Sequence, residues 1–230
     1  MTRQMNLNSE IRKILQEPWT VQRSRGVPQP EDLGLDNEGK TINATVLYAD
    51  LDESTRMVET QEPEFAGRMY KTYLVCAARV IRSEQGNITA YDGDRVMAVF
   101  TGRRAVARAV KSALKLNYVV QELVNPAVQE LTSGTKFALR QSVGVDTSEL
   151  LVAKTGIRTA NDLVWVGRAA NYAAKLSSRR APATHITSEV YDQLPVELKT
   201  GDDGRQIWTA ETAMEIGYRR VYSSSWYLRP

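Results

Sequence analysis

Two aspartates in separate segments of the sequence are the strongest candidates for chemistry. Asp50 follows an apolar run at residues 46–49, and Asp94 closes the short sequence Asp-Gly-Asp at residues 92–94. Carboxylate oxygens are ligands that hard divalent cations prefer. Two cations held about 3.5–4 Å apart suit in-line phosphoryl chemistry. Each segment alone is also typical of an ordinary turn, so the prediction of a two-metal site depends on the two aspartates together.

The residues around these aspartates predict the strands that position them. The run at 46–49 is typical of a buried strand, and alternation along it places Tyr48, Asp50 and Asp52 on one face. The Ser-Thr pair at 54–55 is typical of the N-cap of a following helix. The Asp-Gly-Asp sequence predicts a tight hairpin between short strands at 87–91 and 95–100.

Helical stripes and short strands alternate along the rest of the chain, which favours an α+β fold with a mixed, mostly antiparallel sheet covered by helices. One apolar stripe predicts a helix from Pro63 to near Gly86. A second predicts a helix from about residue 106 that is stopped by Pro126. The polar residues at 146–148 indicate a break between two paired strands.

Composition narrows the classes of function. The chain has 230 residues, 42% hydrophobic and 25% charged, as in ordinary globular proteins. A net charge of +3 gives no argument for a nucleic-acid or membrane partner. Cys76 is the only cysteine and His185 the only histidine, which argues against disulfides, histidine-based zinc sites and Ser-His-Asp catalysis. Without an apolar stretch of membrane-spanning length, a cytoplasmic protein is expected.

Residues 1–40 differ from the rest of the chain, so we predict an N-terminal arm at 1–40 and one domain at 41–230. A single short amphipathic helix fits near Ile11 and Ile14, and a Pro-rich stretch follows. The arm is either partly ordered or packed across its own domain or a partner subunit.

Three motifs in order resemble the class III nucleotidyl cyclase homology domain. They are the acidic sequence at 50–55, the hairpin with its following strand at 92–100, and the sequence Val-Gly-Arg-Ala-Ala-Asn-Tyr-Ala-Ala-Lys at 166–175. The similarity extends from about Thr41 to Leu228. It implies a ferredoxin-like core with additions. It also implies a reaction in which a ribose 3′-oxygen attacks the α-phosphorus of a nucleoside triphosphate and pyrophosphate leaves.

The resemblance also implies roles for individual residues. Asp50 and Asp94 would bridge two Mg²⁺ or Mn²⁺ ions, together with the backbone carbonyl of Leu51. Arg168, Asn171 and Lys175 are spaced i, i+3 and i+7, so they share one face of an Ala-rich helix. The asparagine would orient the ribose, and a cation would meet charge on the phosphate oxygens. The family has Arg where this chain has Lys175. The alternative interpretation of these three polar residues is an ordinary solvated helix face.

The positions that select the base depart from the purine cyclases of the family. Those enzymes place Lys four residues before the second metal-binding Asp, and often Asp or Thr three residues before the Gly of the third motif. This chain has Ala90 and Val164 there, and neither can hydrogen-bond a purine. Tyr48 would narrow the pocket, which suits a pyrimidine better.

This combination resembles the pyrimidine cyclases of the bacterial Pycsar antiphage systems. The resemblance implies synthesis of cyclic UMP from UTP as a second messenger that a separate effector binds. The alternatives are a cytidylate or adenylate cyclase and a catalytically silent nucleotide-binding domain that dimerises. The resemblance further implies a head-to-tail homodimer, in which Asp50 and Asp94 of one subunit meet Asn171 and Lys175 of the other.

Overall fold

A nine-stranded sheet forms the centre of the molecule. The computed structural model describes residues 7–131, 137–157 and 160–230. The strand order is β3-β4-β2-β5-β7-β9-β8, with β1 pairing β2 and β6 pairing β5. The β1–β2 and β5–β7 pairs are parallel and the other pairs antiparallel, which confirms the predicted mixed, mostly antiparallel sheet. The strands are β1 (Thr20–Arg23), β2 (Glu38–Asp52), β3 (Asn87–Asp92), β4 (Arg95–Phe100), β5 (Arg140–Ile157), β6 (Ala160–Val166), β7 (Thr184–Thr187), β8 (Thr209–Ala213) and β9 (Arg219–Ser224).

Seven α-helices in the described part of the chain accompany the sheet. The predicted helix after Pro63 is confirmed and ends at Ser83. Short 3₁₀ segments occur at Pro30–Asp32, Val196–Leu198 and Met214–Ile216. No helix among the described residues is long and apolar enough to cross a membrane. The helices are α1 (Leu7–Gln16), α2 (Ser54–Thr60), α3 (Pro63–Ser83), α4 (Ala105–Tyr118), α5 (Asn125–Leu131), α6 (Arg168–Ser177) and α7 (Ser188–Asp192).

The two faces of β2 belong to different cores, as its alternating side chains predict. Leu47, Ala49 and Leu51 are buried in the larger core with residues of α3 and α4. Val46 is buried on the opposite face in a second core, and Tyr48 packs against that core. The second core also contains alanines of α6, so the strand that carries Asp50 is covered on both sides.

The prediction that Pro126 stops a helix was wrong. The chain passes from α4 through a π-helical turn at Val119–Val124 directly into α5. Pro126 follows the π-helical turn directly, and the wider backbone of that turn accommodates a residue that lacks an N–H within a continuous helical path. The helical path therefore continues past Pro126, and its hydrogen-bond register shifts at the π-helical turn.

The prediction of two paired strands around residues 146–148 was also wrong, because β5 is one continuous strand of 18 residues. Asp146 lies inside it with a fully buried side chain. The Asp146 Oδ1 atom accepts a hydrogen bond of 2.6 Å from Thr187 Oγ1, and Oδ2 lies 3.2 Å from Arg168 Nε. A buried carboxylate is tolerated in a central strand when it is paired in this way.

Helix α6 packs very closely on β5, and Gly144 makes that approach possible. A Cβ atom at position 144 would lie 2.1 Å from the carbonyl oxygen of Ala173 and 2.6 Å from the backbone nitrogen of Ser177. The buried Ala170 and Ala173 keep the facing side of the helix equally small. The position of α6 against the sheet is therefore fixed by backbone-to-backbone packing.

Within the described part of the predicted arm, residues 7–40, the second half lies against the domain and runs without a break into β2, whereas α1 has no buried residue. Strand β1 pairs with the first residues of β2. The Asn37 side chain donates to the carbonyls of Ile14 and Glu17, and Lys154 donates to the carbonyl of Pro30 over 2.9 Å. Leu33 is buried in the second core. Residues 1–6 lie outside the described residues.

The close contact at Gly144 gives a test of the fold. Gly144→Ala should lower the free energy of unfolding by roughly 3 kcal/mol, because the new methyl group meets backbone atoms that cannot move alone. Gly67→Ala is the matched control, since no atom lies within 4 Å of a Cβ built there. That helical position should gain about 0.5–1 kcal/mol. Urea titration followed by circular dichroism measures both, and equal stability of the two variants would contradict the packing argument.

Candidate active site

Two neighbouring antiparallel strands bring Asp50 and Asp94 to one end of the sheet. Ala49 pairs with Val96, so the end of β2 meets the beginning of β4. Asp94 lies in the turn between β3 and β4, and Gly93 supports the turn with a φ of 60°. The hairpin predicted from the Asp-Gly-Asp sequence is therefore confirmed.

Asp50 is nearly buried and its carboxylate is held by a residue that sequence reasoning missed. Arg95 donates from Nη2 over 2.7 Å and from Nε over 3.1 Å, both to Asp50 Oδ2. Burial raises the pKa of Asp50 above its usual range, although the bonds and charge of Arg95 act in the opposite direction. The Arg95 Nη2 group also reaches Ser178 Oγ at 3.3 Å, just beyond α6.

Asp94 supplies the second carboxylate of the site. Its Oδ2 atom is buried and has no hydrogen-bond partner. Its negative charge contributes to the raised pKa of Asp50. Asp94 thus has an unpaired oxygen, and the neighbouring carboxylate of Asp50 already attracts a guanidinium. Together the two carboxylates form an environment that favours a cation.

The donor set fits divalent ions that are bound partly by a substrate. No group of three or more acidic, histidine or cysteine side chains suited to a metal occurs among the described residues. Mg²⁺ is commonly held by one or two carboxylates plus substrate phosphates. Asp50, Asp94 and the carbonyl of Leu51 could therefore hold such ions weakly on their own and more tightly once a triphosphate completes the coordination.

Tyr48 and Ala90 lie on the same row of the sheet, each opposite Met97 of β4. Both pack against the second core. Burial raises the pKa of Tyr48, so its hydroxyl remains neutral. Because Tyr48 and Asp50 are two residues apart on one strand, the ring borders the face on which the carboxylate lies. The structure thus brings these two predicted substrate-binding positions together.

Val164 does not join that row within the same subunit. Leu163 and Trp165 of β6 pack against the second core, so alternation directs Val164 to the opposite face of the strand. Val164 pairs with Ala153 and is 36% exposed.

The three polar residues of α6 have different surroundings. Asn171 and Lys175 are exposed, and no hydrogen bond or ion pair in the described part of the chain joins them to Asp50 or Asp94. Arg168 contacts Asp146 and Glu189 and donates to the carbonyl of Thr147 over 2.6 Å. Asn171 and Lys175 therefore face solvent, whereas Arg168 is held by contacts within its own chain.

A charged cavity of about 460 Å³ adjoins Asp50, a volume within the usual range for small-molecule sites. Glu53 lies on its wall in the left-handed conformation, with φ 59°. Glu53, not the predicted Ser-Thr pair, occupies the N-cap position of α2, and no side-chain cap bond forms. Its carboxylate is paired instead with Arg140 and lies 4.0 Å from Arg180. Such a strained non-glycine backbone is common near functional sites.

The single histidine takes no part in this site. His185 is buried in β7, and burial lowers its pKa to about 4, so the ring is neutral at physiological pH. Arg95 was missed because it follows Asp94 directly and looks like an ordinary strand residue. Its pairing with Asp50, 45 residues earlier, leaves no local signal in the sequence.

Comparisons with known proteins identify the family to which this fold belongs. Residues 37–214 match the model of the adenylate and guanylate cyclase catalytic domain. The chain is 48% identical over 228 residues to a uridylate cyclase of Burkholderia cepacia, a match that covers 96% of this chain and 98% of that protein. It is 48% identical over 212 residues to a uridylate cyclase of Xanthomonas perforans, covering 92% and 91%.

A solved structure supports the fold. The crystal structure of a guanylyl cyclase superposes with a TM-score of 0.65 at 21% identity, covering 84% of this chain and 96% of the other. The family match spans well over half of the chain and carries both aspartates at the strand ends. The chain therefore belongs to the class III family of adenylate and guanylate cyclase catalytic domains and is a lyase that forms cyclic nucleotides.

Proposed function

We propose that this enzyme converts UTP to 3′,5′-cyclic UMP and pyrophosphate. The observation that carries the proposal is the wall formed by Tyr48 and Ala90 beside Asp50. It offers an aromatic ring and a methyl group where a purine would need hydrogen-bonding partners, and it leaves less room for a large base. The two relatives that are 48% identical carry the name uridylate cyclase, which supports the same substrate.

The metal-binding residues in this proposal are Asp50, Asp94 and the carbonyl of Leu51, which would hold two Mg²⁺ or Mn²⁺ ions. When bound, such ions favour the 3′-alkoxide and neutralise charge on the triphosphate. The partnerless Oδ2 atom of Asp94 and the cationic partner of Asp50 support this assignment. The strands fix where both carboxylates lie before any ligand arrives.

The residues of α6 would complete the site from a second subunit of a homodimer. Asn171 would orient the ribose and Lys175 would meet charge on the α-phosphate oxygens. Lysine acts as a point charge and lacks the two-pronged geometry of arginine. The exposure of both side chains and their lack of contact with Asp50 in their own subunit support an arrangement across two chains. Val164 of the second subunit would likewise contribute to the base pocket.

Arg168 has a different role in this proposal. Its ion pairs with the fully buried Asp146 and with Glu189 hold the first turn of α6 against β5 and α7. An arginine with these partners is poorly placed to reach a substrate. We therefore assign it to positioning α6, in place of the substrate contact predicted from helical spacing.

CTP is the second candidate substrate, because uracil and cytosine differ only at the C4 oxygen or amino group and at the proton on N3, and no described contact distinguishes them. A silent nucleotide-binding domain is disfavoured, since such a domain can lose one of the two aspartates and this chain retains both. In the wider proposal the product is a second messenger of bacterial antiphage defence. It would be made in the cytoplasm and act through a separate effector, without a nucleic-acid or membrane partner.

The substrate assignment is tested by supplying the four nucleoside triphosphates separately with Mn²⁺ and identifying the products by mass spectrometry. UTP should be used at least about tenfold faster than ATP and GTP, a difference of about 1.4 kcal/mol in barrier, and the rate with CTP decides between the two pyrimidines. Tyr48→Ala should reduce this preference and turnover of UTP without a matching loss of stability. Tyr48→Phe is the control, because it keeps the ring. Unchanged selectivity in Tyr48→Ala would show that the pocket is formed elsewhere.

The two-chain arrangement is tested by complementation between inactive variants. Asp50→Ala and Asn171→Ala should each lack activity alone, because each lesion removes one half of every composite site. In a mixture, heterodimers would contain one doubly damaged site and one intact site, so activity should return to about half per heterodimer. Subunit exchange is followed by fluorescence energy transfer. If exchange is complete and activity stays absent, the site lies within one chain.

The assignment of Arg168 is tested by comparing stability with catalysis. Arg168→Gln should lower the free energy of unfolding by about 3 kcal/mol, since it leaves a buried carboxylate unpaired. The double variant with Asp146→Asn should lose less than the sum of the single changes. Lys175→Gln should show the opposite pattern, with lower turnover and unchanged stability. A stable Arg168→Gln enzyme with a raised KM for UTP would instead indicate a substrate contact.

A further inference from the structure

Arg95 places a protein cation on the carboxylate that the proposed function assigns to metal binding. Both of its hydrogen bonds, of 2.7 and 3.1 Å, end on the same oxygen, Asp50 Oδ2. Asp50 is the ion-pair partner of Arg95, and no second ion pair of Arg95 occurs among the described residues. The guanidinium thus depends on Asp50 for its position in the protein without ligand.

A bridging carboxylate and this ion pair make competing demands on Asp50. To bridge two cations, Asp50 must offer oxygen lone pairs to both, and a guanidinium bound through two N–H groups occupies one oxygen. Charge adds to the geometric conflict, because a divalent cation at Asp50 would repel the nearby guanidinium. Arg95 and a pair of metal ions therefore compete for Asp50.

We propose that Arg95 is an exchangeable counter-cation that closes Asp50 to the metal pair until the divalent ions displace it. This inference rests on the proposed function of Asp50 as a metal ligand. It assigns to Arg95 a regulatory part in metal loading that neither the motif nor the fold requires.

The surroundings of Arg95 permit this exchange. Its side chain is 31% exposed and borders the 460 Å³ cavity, so the guanidinium can leave Asp50 without crossing a packed core. It already lies 3.3 Å from Ser178 Oγ, which offers an alternative acceptor. Arg168 provides the contrast, because it is held by two carboxylates and a backbone carbonyl. Arg168 is therefore fixed by its partners, whereas Arg95 can be released from Asp50.

The experiment measures Mn²⁺ affinity of the full chain without nucleotide, from the electron paramagnetic resonance signal of free Mn²⁺. Arg95→Gln should bind Mn²⁺ roughly tenfold more tightly than wild type, since the apparent affinity rises when the competing closed state is removed. Arg95→Lys should give an intermediate affinity, because it keeps the charge but loses the two-pronged contact. Thermal unfolding confirms that the variants are folded.

Arg180→Gln is the matched control for the loss of one positive charge. Arg180 lines the same cavity but is 80% exposed and lies near Glu53, not Asp50. Its removal should change Mn²⁺ affinity less than twofold, since exposed charges are screened by solvent and salt. The difference between the two variants isolates the direct contact with Asp50.

Two results would overturn the inference. If Arg95→Gln binds Mn²⁺ no more tightly than Arg180→Gln, the guanidinium does not compete with the metal. If it binds more weakly than wild type, Arg95 stays in place and orients Asp50 toward the ion. Asp50→Ala and Asp94→Ala separate this from the proposed function, since both should lose Mn²⁺ binding. Unchanged binding in those two variants would instead disprove the metal site itself.

Discussion

The concentration of negative charge at one end of the sheet is the constraint on which the rest of the site depends. Asp50 and Asp94 are brought there by antiparallel pairing of β2 with β4, and both are at least partly buried. Two carboxylates so placed favour a cation nearby, because burial penalises each negative charge and the two charges repel one another. The protein supplies Arg95, and a substrate accompanied by metal ions would supply a stronger replacement.

The sequence was sufficient for the parts of this arrangement that local patterns determine. Alternation placed Tyr48 and Asp50 on one face, and the Asp-Gly turn placed Asp94 at the neighbouring strand end. The same local rules failed at residues 146–148, because the partner that keeps Asp146 in a strand is Arg168, 22 residues later. They failed at Arg95 for the same reason, whereas at Pro126 the π-helical turn that carries the helix past the proline leaves no local signal in the sequence.

The distribution of polar residues over α6 supports the proposal that the site is completed by a second subunit. The helix is fixed by Gly144 on one side and by the Arg168 ion pairs at its start. Its orientation leaves Asn171 and Lys175 in solvent. A rigid helix cannot turn these side chains toward Asp50 of the same chain. Polar side chains held on an outer surface can instead reach the site of a second subunit in a symmetric dimer.

Burial of the carboxylate partner distinguishes Arg168, which holds the fold, from Arg95, which an incoming cation could displace. The carboxylate partner of Arg168 is wholly enclosed, so breaking that pair would leave a buried charge without compensation. Arg95 pairs with a carboxylate beside an open cavity, where solvent and an incoming cation can both replace it. Ion pairs of similar length can therefore serve opposite purposes within one domain. The enclosed pair keeps α6 in one position, and in the proposed exchange the accessible pair would make occupancy of Asp50 depend on which cations are present.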